Sequence, residues 1–375
     1  MRLLLINSEY PPIGGGAGNA SAHIAQQLAR MGHETTVVTS RFQNLPALEQ
    51  DGKLTIHRIP ALRRRPDRSG ALEQVIFILF ASFWTLRMVP HIRPNATLAF
   101  FGVPSGMVAL LLGKLFKIPY VVSLRGGDVP GFRPYDFHVY HKILGPFLRI
   151  VWKNASAVVA NSNGLRDLAC AFDPRFEIPI IPNGVDLDQY STNEREWQFP
   201  RLLSVGRLVH QKGFDLGIRA LAGLKHLDWQ WQIVGDGPQM DALKALATEY
   251  GLNDRVIFRG WQSREELVQC YKQSNIFLFP SRHEGMPNAV LEAMASGLPV
   301  VASRIAGNEE LVVHNETGIL VESENVEMLR NALQELLPNP SLRQNMGVAS
   351  HRRVEQHYSW ENTASKYADL LDKVK

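Results

Sequence analysis

Two patterns of apolar and polar positions alternate along the chain. Short uninterrupted apolar runs predict buried strands, and between them apolar residues recur at the spacing of a helix face. In the first half the predicted strands cover residues 3–6, 35–39, 97–101, 120–123 and 157–160, with helices over about 19–31 and 107–115. This alternation indicates crossover units, and hence a parallel sheet with helices on both faces.

The same pattern restarts in the second half, after a turn at residues 181–184 and a polar segment at 191–198 that we interpret as a linker. Strands are predicted at 202–205, 231–234, 256–258, 276–279 and 300–302, and helices near 214–224, 240–250, 265–273, 288–294 and 362–374. The chain therefore contains two repeats of one architecture.

The predicted fold class is α/β, with two doubly wound, Rossmann-like domains in series. We place the N-terminal domain at residues 1–190, the C-terminal domain at 191–360, and a C-terminal helix at 361–375 whose partner domain stays open. Two such domains place a cleft between them, where the carboxyl ends of both sheets can face one ligand.

The composition of the 375 residues is that of a globular, enzyme-sized protein, with 45% hydrophobic and 20% charged residues. It excludes disordered, collagen-like and disulfide-built proteins. The two cysteines, Cys170 and Cys270, belong to no CxxC pair, so a structural zinc site is not expected. Two lone cysteines in so long a chain indicate a reducing compartment, which predicts a cytoplasmic protein.

The first half of the chain is basic. Residues 1–190 hold 20 Lys and Arg against 13 Asp and Glu, a net charge of +7, whereas residues 191–375 carry −3. The arginines Arg63–Arg65 and Arg68 precede the uncharged run Gln74–Leu86. This run has 13 residues, fewer than the roughly 20 of a membrane-spanning helix, and we expect a buried or interfacial helix there.

Basic side chains beside an apolar segment suit a peripheral contact with the anionic inner face of a cell membrane. A solvated loop before a core helix explains the same pattern, and both interpretations stay open. Nucleic-acid binding is not expected, because no interleaving of basic and aromatic residues continues along the chain.

The segment after the strand at 276–279 carries the strongest chemical signal. A loop holding Glu284-Gly285-Met286-Pro287 leads into a helix that begins near Asn288. Backbone N–H groups and the helix dipole make such a helix start an anion site suited to a diphosphate. Glu284 in the loop and Glu292 in the second helical turn can flank a bound nucleotide sugar, although a solvated helix residue is the plain alternative for Glu292.

Two cations after the strand at 202–205 belong to the same edge of the predicted sheet. Gly206-Arg207 ends this strand and Gln211-Lys212-Gly213 follows, so that two positive side chains lie five positions apart. Arg207 can grip phosphate oxygens with its planar fork, while Lys212 supplies a point charge. Because the neighbouring helix start already favours an anion, these cations predict phosphate binding.

With these segments the chain resembles the retaining GT-B glycosyltransferases of family 4, the glycosyl transferases group 1. In the C-terminal half the resemblance rests on Gly206-Arg207 with Lys212-Gly213, Val234–Pro238, Phe258–Trp261, the Glu284/Glu292 pair, Pro299–Ala302 and Gly318–Val321. The N-terminal half matches more loosely, through Pro11-Pro12 with Gly14-Gly15-Gly16 and through Ile181–Asp186.

The resemblance implies a role for each matched residue. Arg207 and Lys212 would neutralise the donor diphosphate, and Glu292 would hold the ribose hydroxyls. Glu284 would bind hydroxyls of the donor sugar. The further donor contacts implied are Gly15, Gly16, Gly285, Met286, Pro287 and Asn288, with Arg259 and Gly260 near the nucleobase.

One segment departs from the family. Many relatives carry a histidine, in a segment like HGxD, that contacts the transferring sugar, and this chain has Arg125 there, in Arg125-Gly126-Gly127-Asp128. Because arginine stays charged and cannot act as a base, we expect Arg125 only to bind a sugar hydroxyl or the leaving phosphate. Asp128 would orient Arg125 or a substrate hydroxyl, or form a structural pair with Arg125. Asn19 is a further sugar or acceptor candidate.

The function implied is that of a hexosyltransferase, which moves a sugar from a nucleotide diphosphate donor to an acceptor hydroxyl with retention. Its catalytic candidates are Arg207, Lys212 and Glu284, and the basic N-terminal half favours a lipid-linked or polysaccharide-precursor acceptor. We expect neither a cofactor nor an essential metal, because cations stabilise the departing diphosphate and Asp186-Leu187-Asp188 is typical of a turn. A nucleotide-sugar 2-epimerase of the same fold and a non-catalytic nucleotide-sugar-binding subunit stay open as alternatives.

Overall fold

The structure, a computed structural model, describes residues 1–66, 69–132, 134–190 and 195–375, apart from the side chains of residues 134–139. The chain divides into two units. Unit 1 consists of Met1–Asn183 with Trp360–Lys375, and unit 2 of Gly184–Ser359. The chain therefore leaves unit 1 at Asn183 rather than at the predicted residue 190, and its C-terminal helix returns to unit 1.

Unit 1 is built on a sheet in the order β3-β4-β2-β1-β5-β6-β7, in which all neighbours are parallel except β3 and β4. Its strands are β1 (Arg2–Ile6), β2 (Glu34–Ser40), β3 (Leu48–Asp51), β4 (Leu54–Ile59), β5 (Ala96–Phe100), β6 (Tyr120–Ser123) and β7 (Ala157–Val159). The predicted strands are confirmed, because apolar runs such as that of β1 are buried on both faces. The pattern does not predict the hairpin of β3 and β4, since its outer strand is polar and mostly exposed.

The helices of unit 1 are α1 (Gly16–Arg30), α2 (Ala71–Ile92), α3 (Gly106–Phe116), α4 (Pro134–Asn154) and α5 (Asn163–Phe172), joined by the C-terminal α13 (Trp360–Val374). Two predicted bounds are wrong. α1 begins a turn earlier than the expected residue 19, because Gly16 is already helical. α2 has 22 residues, not the 13 of the uncharged run, because a helix accommodates Glu73 and Arg87 on its exposed or half-buried sides.

The C-terminal helix α13 completes the core of unit 1. It packs on α1, where the rings of His23 and Trp360 stack at a centroid distance of 4.8 Å. The Tyr367 hydroxyl lies 2.7 Å from Ser123 Oγ at the end of β6. Ala364 and Leu371 are buried in the same apolar cluster as the β1 side chains, so α13 belongs structurally to the N-terminal sheet.

Unit 2 repeats the design with a parallel sheet in the order β10-β9-β8-β11-β12-β13. Its strands are β8 (Arg201–Val205), β9 (Gln230–Val234), β10 (Val256–Gly260), β11 (Ile276–Phe279), β12 (Val300–Ser303) and β13 (Gly318–Val321). Its helices are α6 (Phe214–Ala222), α7 (Met240–Glu249), α8 (Arg264–Lys272), α9 (Asn288–Ala295), α10 (Ala306–Leu311), α11 (Val326–Leu336) and α12 (Pro340–His357).

The segment interpreted as a polar linker contains a partly buried structural residue. Residues 191–194 lie outside the described residues, but Arg195 donates hydrogen bonds to four carbonyl oxygens at the ends of α8 and α9, those of Tyr271, Lys272, Ser296 and Gly297. A cation at two helix C-termini is favoured by the helix dipoles. Burial lowers the pKa of Arg195 to about 10, and the residue still fastens the start of unit 2 to its core.

Candidate functional site

The carboxyl edge of the unit 2 sheet gathers most of the predicted site residues. β8 and β11 are neighbours in the middle of this sheet, although β9 and β10 lie between them in sequence. The sheet therefore has its topological switch point between β8 and β11, where open α/β sheets bind ligands. The loop after β8 holds Arg207 and Lys212, and the loop after β11 holds Glu284.

Lys212 and Glu284 form an ion pair at this switch point. Lys212 Nζ lies 2.7 Å from Glu284 Oε1, and both side chains are largely buried, with 17% and 10% exposure. The Ser281 hydroxyl donates to the same Glu284 oxygen at 2.6 Å. Lys212 Nζ also lies 4.9 Å from the centroid of the Phe279 ring. The structure thus joins two of the three predicted catalytic residues and adds Ser281, which no sequence motif had singled out.

A second ion pair fixes the two loops that carry this site. The Arg282 guanidinium donates to both carboxylate oxygens of Asp215, at 3.0 and 2.9 Å, and to the His210 carbonyl at 2.6 Å. Burial alone would raise the pKa of Asp215, but the hydrogen bonds and charge of Arg282 outweigh it and lower that pKa below its ordinary value. Gln211 adds a backbone bond, since its carbonyl accepts from the Arg282 N–H at 2.7 Å.

Gly213 is required for this close approach of the loops. Its φ is +64°, and a Cβ at this position would lie 2.0 Å from the Pro280 carbonyl oxygen. Any larger residue would push the turn that carries Lys212 away from the loop that carries Glu284. A glycine directly after Lys212 is therefore a geometric requirement of the ion pair.

Glu292 lies in the second turn of α9, where it faces α8. The Tyr271 hydroxyl donates to Glu292 Oε2 at 3.0 Å, and the Tyr190 ring packs edge-on against Tyr271 at 5.5 Å. Burial raises the pKa of the Glu292 carboxyl, and the Tyr271 hydrogen bond and the Arg264 charge oppose that rise. The alternative of a freely solvated helix residue is therefore wrong.

The helix start at α9 has the predicted position. Pro287 occupies the N-cap, and its side chain makes no capping hydrogen bond to the first turn. Gly285 lies so close to α10 that a Cβ on Gly307 would be 2.2 Å from the Gly285 carbonyl oxygen. Met286 is buried, and Asn288 begins the helix. Close backbone packing against α10 therefore fixes the position of the loop from Glu284 to Asn288.

The remaining predicted donor residues of unit 2 lie at the rim of the same edge. Arg207 follows β8 and its side chain is exposed. Arg259, at the end of β10, donates from Nε to Gln232 Oε1 at 3.2 Å, and Gly260 has a φ of +69°. The next residue, Trp261, is 76% exposed, an unusual state for an indole. An exposed ring beside an arginine offers a surface on which an aromatic base can stack.

In unit 1 the glycine turn lies at the switch point between β1 and β5. Gly14 forms the turn itself, because its φ is +95° and a Cβ would lie 2.7 Å from Glu9 Cβ. Gly15 is exposed, and a Cβ added there would meet no atom within 4 Å, so the backbone here is open to a close ligand. Gly16 starts α1, and Asn19 lies exposed in its first turn.

Asp128 does not pair with the Arg125 side chain, which corrects the sequence interpretation. Its buried carboxylate accepts backbone N–H groups of Gly102, Arg125 and Gly126 at 2.8, 3.0 and 3.1 Å. Burial raises the pKa of Asp128, against the lowering effect of these bonds. The carboxylate therefore shapes the loop after β6 and is not placed to orient a substrate hydroxyl.

The Arg125 guanidinium instead holds two distant parts of unit 1. It donates to Asn183 Oδ1 at 2.7 Å and to the Tyr367 hydroxyl at 3.1 Å, and it lies 4.8 Å above the Phe100 ring. Asn183 is the last residue before the chain leaves unit 1, and Tyr367 lies on α13 after its return. Arg125, which replaces the family histidine, thus links Asn183 to the C-terminal helix α13.

Arg63 does not belong to an exposed basic cluster, which corrects the expectation from the sequence. Its side chain is 1% exposed and donates to the carbonyls of Ser8, Arg65 and Pro66, with Glu9 Oε1 at 3.6 Å. Arg64 and Arg65 are exposed, and Arg68 lies outside the described residues. The basic character of this segment therefore rests on fewer side chains than the sequence suggested.

In the described part of the chain, no group of three His, Cys, Asp or Glu side chains converges in a way that could hold a metal ion. Asp186 accepts a hydrogen bond from the Gln189 side chain at 2.7 Å, as expected of a residue in a turn. Independence of a metal stays a prediction.

Two family profiles together match almost the entire chain. Residues 191–353 match the glycosyl transferases group 1, and residues 14–189 match glycosyltransferase family 4. The chain therefore belongs to the group 1 glycosyltransferases of the GT-B fold, and it is a glycosyltransferase.

Similar sequences extend over the full length of the chain. It is 27% identical to the GDP-mannose-dependent alpha-(1-6)-phosphatidylinositol monomannoside mannosyltransferase of Mycolicibacterium smegmatis, over 98% of both chains. It is 29% identical to the lipopolysaccharide core biosynthesis glycosyltransferase LpsE of Rhizobium meliloti, over 95% of this chain and 96% of that one.

Solved structures show the same fold. Sucrose-phosphate synthase from Thermosynechococcus elongatus matches with a TM-score of 0.85 and 22% identity, over 99% of this chain and 98% of that one. Anabaena HepE in complex with UDP-glucose matches with a TM-score of 0.75 and 19% identity, over 99% of both chains. The GT-B architecture predicted from the sequence is confirmed.

Proposed function

We propose that this glycosyltransferase takes its sugar from a nucleotide diphosphate donor and transfers it, with retention at the anomeric carbon, to a saccharide that is lipid-linked or a polysaccharide precursor. As a hexosyltransferase it would act in the cytoplasm, without a cofactor or an essential metal. The observation that carries the proposal is the ion pair of Lys212 and Glu284 at the switch point of unit 2.

The pair suits a donor because its two members complement two parts of one ligand. A diphosphate competes for the Lys212 ammonium, and sugar hydroxyls are donors that can replace that ammonium at the Glu284 carboxylate. Donor binding would therefore exchange one charged pair for two ligand contacts, without leaving either charge unpaired. Ser281 keeps Glu284 oriented while this exchange takes place.

The chemical step depends on stabilising the departing diphosphate. The bond between the anomeric carbon and the phosphate oxygen breaks, and the acceptor oxygen forms its bond on the same face of the sugar. The acceptor proton passes to an oxygen of the leaving diphosphate. Lys212, Arg207 and the start of α9 lower the barrier because they offer preorganised positive potential where negative charge grows.

The other proposed donor contacts rest on the chemistry of the residues in each unit. Glu292, held by Tyr271, is an acceptor suited to the ribose hydroxyls. Trp261 and Arg259 border the rim at the end of β10, where a base would stack. In unit 1, the open backbone at Gly15, followed by the exposed Gly16, suits a close approach of phosphate.

Three similar proteins support the proposed donor and acceptor classes. The mycobacterial relative is GDP-mannose-dependent and acts on a phosphatidylinositol monomannoside, HepE was solved with UDP-glucose, and LpsE is named for the lipopolysaccharide core. Nucleotide sugars and lipid-linked saccharides are therefore common to proteins that this chain resembles. The free thiols of Cys170 and Cys270 are consistent with a cytoplasmic setting.

The proposal is tested by thermal shift against a panel of GDP- and UDP-sugars, with Arg207→Ala and Lys212→Ala as variants. A true donor should stabilise the wild type by about 2.7 kcal/mol at a hundredfold excess over its Kd, and both variants should lose most of that shift. The matched control is Lys244→Ala, which removes an exposed lysine on α7. A panel without any stabilising nucleotide sugar would contradict the donor assignment.

Product analysis separates transfer from its alternatives. With a donor and a mannosyl or glucosyl lipid acceptor, proton NMR should show a new glycosidic bond with the donor's anomeric configuration. Conversion of the donor sugar without acceptor would instead indicate a 2-epimerase. Donor binding without turnover in either assay would indicate a non-catalytic subunit.

A further inference from the structure

The longest helix of unit 1 leaves one apolar side uncovered. Phe77, Ala81, Thr85 and Val89 of α2 are spaced four residues apart and are buried against the unit. The large apolar side chains on its other side are exposed, and they are Leu72, Val75, Leu79, Phe80, Phe83 and Leu86. Since helix residues three and four apart share a face, these six form one continuous stripe.

The two helices that pack beside α2 also expose large apolar side chains. α3 packs against both α2 and α4, and the Tyr140 hydroxyl of α4 donates to Gln74 Oε1 of α2 at 3.2 Å. The end of α3 exposes Leu115 and Phe116, and α4 exposes Ile143, Phe147 and Ile150. Eleven of the eighteen exposed large apolar side chains among the described residues thus lie on these three helices.

The exposed charged side chains that the structure describes on this surface are basic. The exposed basic side chains on α2, α3, α4 and the turn after α3 include Arg87, Lys114, Lys117, Lys142 and Lys153. Among the described side chains of these helices the acidic one is Glu73, and it accepts from the backbone N–H groups of Arg64 and Gly70. An apolar surface bordered by cations fits an anionic, partly apolar partner.

We propose that the exposed faces of α2, α3 and α4 dock unit 1 on a membrane that contains anionic lipids. Leu79, Phe83 and their neighbours would enter the boundary between headgroups and acyl chains. The lysines would contact lipid phosphates. We refer to this surface as the three-helix face.

A depression at one end of the three-helix face gives the contact a defined polar site. Its volume is about 350 Å³, and Leu110, Lys114, Lys117, Tyr120, Asn154 and Ser156 are among its lining residues. Two lysines with amide and hydroxyl groups can bind the phosphate of a lipid headgroup, while Leu115 and Phe116 beside them enter the apolar layer. Lys114 and Lys117 are therefore the cations for which we expect the largest effect.

Other ways to cover the face agree less well with these observations. The length and hydropathy of α2 would allow it to cross a bilayer. However, one side of α2 is buried against unit 1 along its length, so we expect the helix to lie parallel to the membrane surface. A second copy of the chain would bring two basic surfaces together, and like charges oppose that association. A membrane supplies both the apolar layer and the opposite charge.

The test measures binding of the full chain to vesicles by flotation, without donor or acceptor. Wild type should float with vesicles of phosphatidylglycerol and phosphatidylcholine, and much less with phosphatidylcholine alone. The double change Leu79→Ser with Phe83→Ser should weaken binding at least tenfold, because it removes two side chains that the bilayer would bury. Lys114→Gln with Lys117→Gln should weaken it about fivefold for each lysine.

A matched control changes two exposed apolar residues of unit 2, Met328→Ser with Val348→Ser, and should float like wild type. All replaced side chains are exposed, and equal melting temperatures of the variants check that each one is folded. Wild type that does not float, or apolar variants that float as wild type does, would overturn the proposal. A dimer in light scattering that Phe83→Ser dissociates, without vesicle binding, would assign the face to a second copy instead.

This inference does not depend on the proposed reaction, because flotation requires neither donor nor turnover. If the protein floats but no nucleotide sugar stabilises it, the proposed function fails alone. If it transfers sugar to a soluble acceptor analogue but never floats, the three-helix face fails alone.

Discussion

The strand-end edges of the two units use the same fold in different ways. In unit 2, the loops after β8 and β11 carry charged side chains that pair with one another, Lys212 with Glu284 and Arg282 with Asp215. In unit 1, the loop after β1 contains the glycine turn, and the loop after β6 contains a carboxylate, Asp128, that accepts hydrogen bonds from three backbone N–H groups. The charged side chains of the unit 2 edge pair with one another and can bind a ligand instead. The Asp128 carboxylate of unit 1 already accepts hydrogen bonds from the backbone.

This difference is the reason why we propose charge stabilisation by side chains of unit 2. The two members of a partly exposed ion pair can separate and bind a ligand at low cost, because each charged group finds a new partner in the ligand. A fully buried carboxylate that accepts several N–H groups cannot, since its release would leave those donors unsatisfied. Under the proposed function, we therefore expect the side chains that stabilise the departing charge to be those of unit 2.

The largest effect is expected from Lys212→Ala, because it removes a cation that we propose to stabilise the leaving diphosphate. Loss of one such preorganised donor should lower kcat/KM for sugar transfer by about 10²- to 10³-fold. Steady-state kinetics with the donor found by thermal shift measures it, with Lys244→Ala as control. Turnover within threefold of wild type would contradict the assignment of charge stabilisation to Lys212.

A smaller loss is expected when the support of the pair is removed. Arg282→Ala breaks the contacts that hold the loop after β11 against the loop after β8, and a displacement of these loops should reduce kcat/KM about tenfold to hundredfold. Arg282→Lys, which keeps a charge near Asp215, should recover part of the loss. If both variants only lowered the melting temperature and left the kinetics intact, Arg282 would be structural alone.

In unit 1 we expect the substitution of Arg125 to lower stability and to leave nucleotide binding unchanged. Arg125→Ala removes the bonds to Asn183 and Tyr367 and should lower the free energy of unfolding by about 2 kcal/mol. The Kd for a nucleoside diphosphate should not change, because the side chain is committed within unit 1. Chemical denaturation and calorimetric titration measure the two quantities. Tenfold weaker nucleotide binding at unchanged stability would instead make Arg125 a donor contact.

The smallest effect concerns pH. The pKa of Asp215 is lower in the folded protein than in the unfolded chain, so its pair with Arg282 contributes stability at pH values above the unfolded pKa, near 3.9. That contribution is lost as the pH falls through the folded pKa. Asp215→Asn should therefore destabilise the protein by about 1–2 kcal/mol at pH 7 and by progressively less below pH 4. A difference from wild type that does not change between pH 7 and pH 3 would contradict this.

The sequence predicted the parts of the molecule that depend on local pattern. Buried parallel strands require apolar runs, and β6 and β11 have the predicted bounds. Lys212 and Glu284 could be predicted because a cation and a carboxylate follow neighbouring strands. Their direct pairing could not, because it depends on how Gly213 and Pro280 bring two loops together over a separation of about seventy residues.

What the sequence could not reveal was which polar side chains are buried or partly buried in contact with the backbone. Arg63 and Arg195 look like members of solvated basic or polar segments, and both cap carbonyl groups inside the fold. Asp128 looks like a partner for the neighbouring Arg125, and it binds backbone instead. These contacts join residues that are distant in sequence, so no local pattern indicates them.

The central claim is that donor diphosphate takes Lys212 away from Glu284, and calorimetric titration of a nucleoside diphosphate into Glu284→Gln tests it most directly. This variant frees the ammonium in advance, so we expect the diphosphate to bind as tightly as to wild type or a few times more tightly, whereas Lys212→Ala binds at least tenfold more weakly. If Glu284→Gln weakens diphosphate binding as much as Lys212→Ala does, the two side chains act as a fixed structural pair and the exchange does not occur.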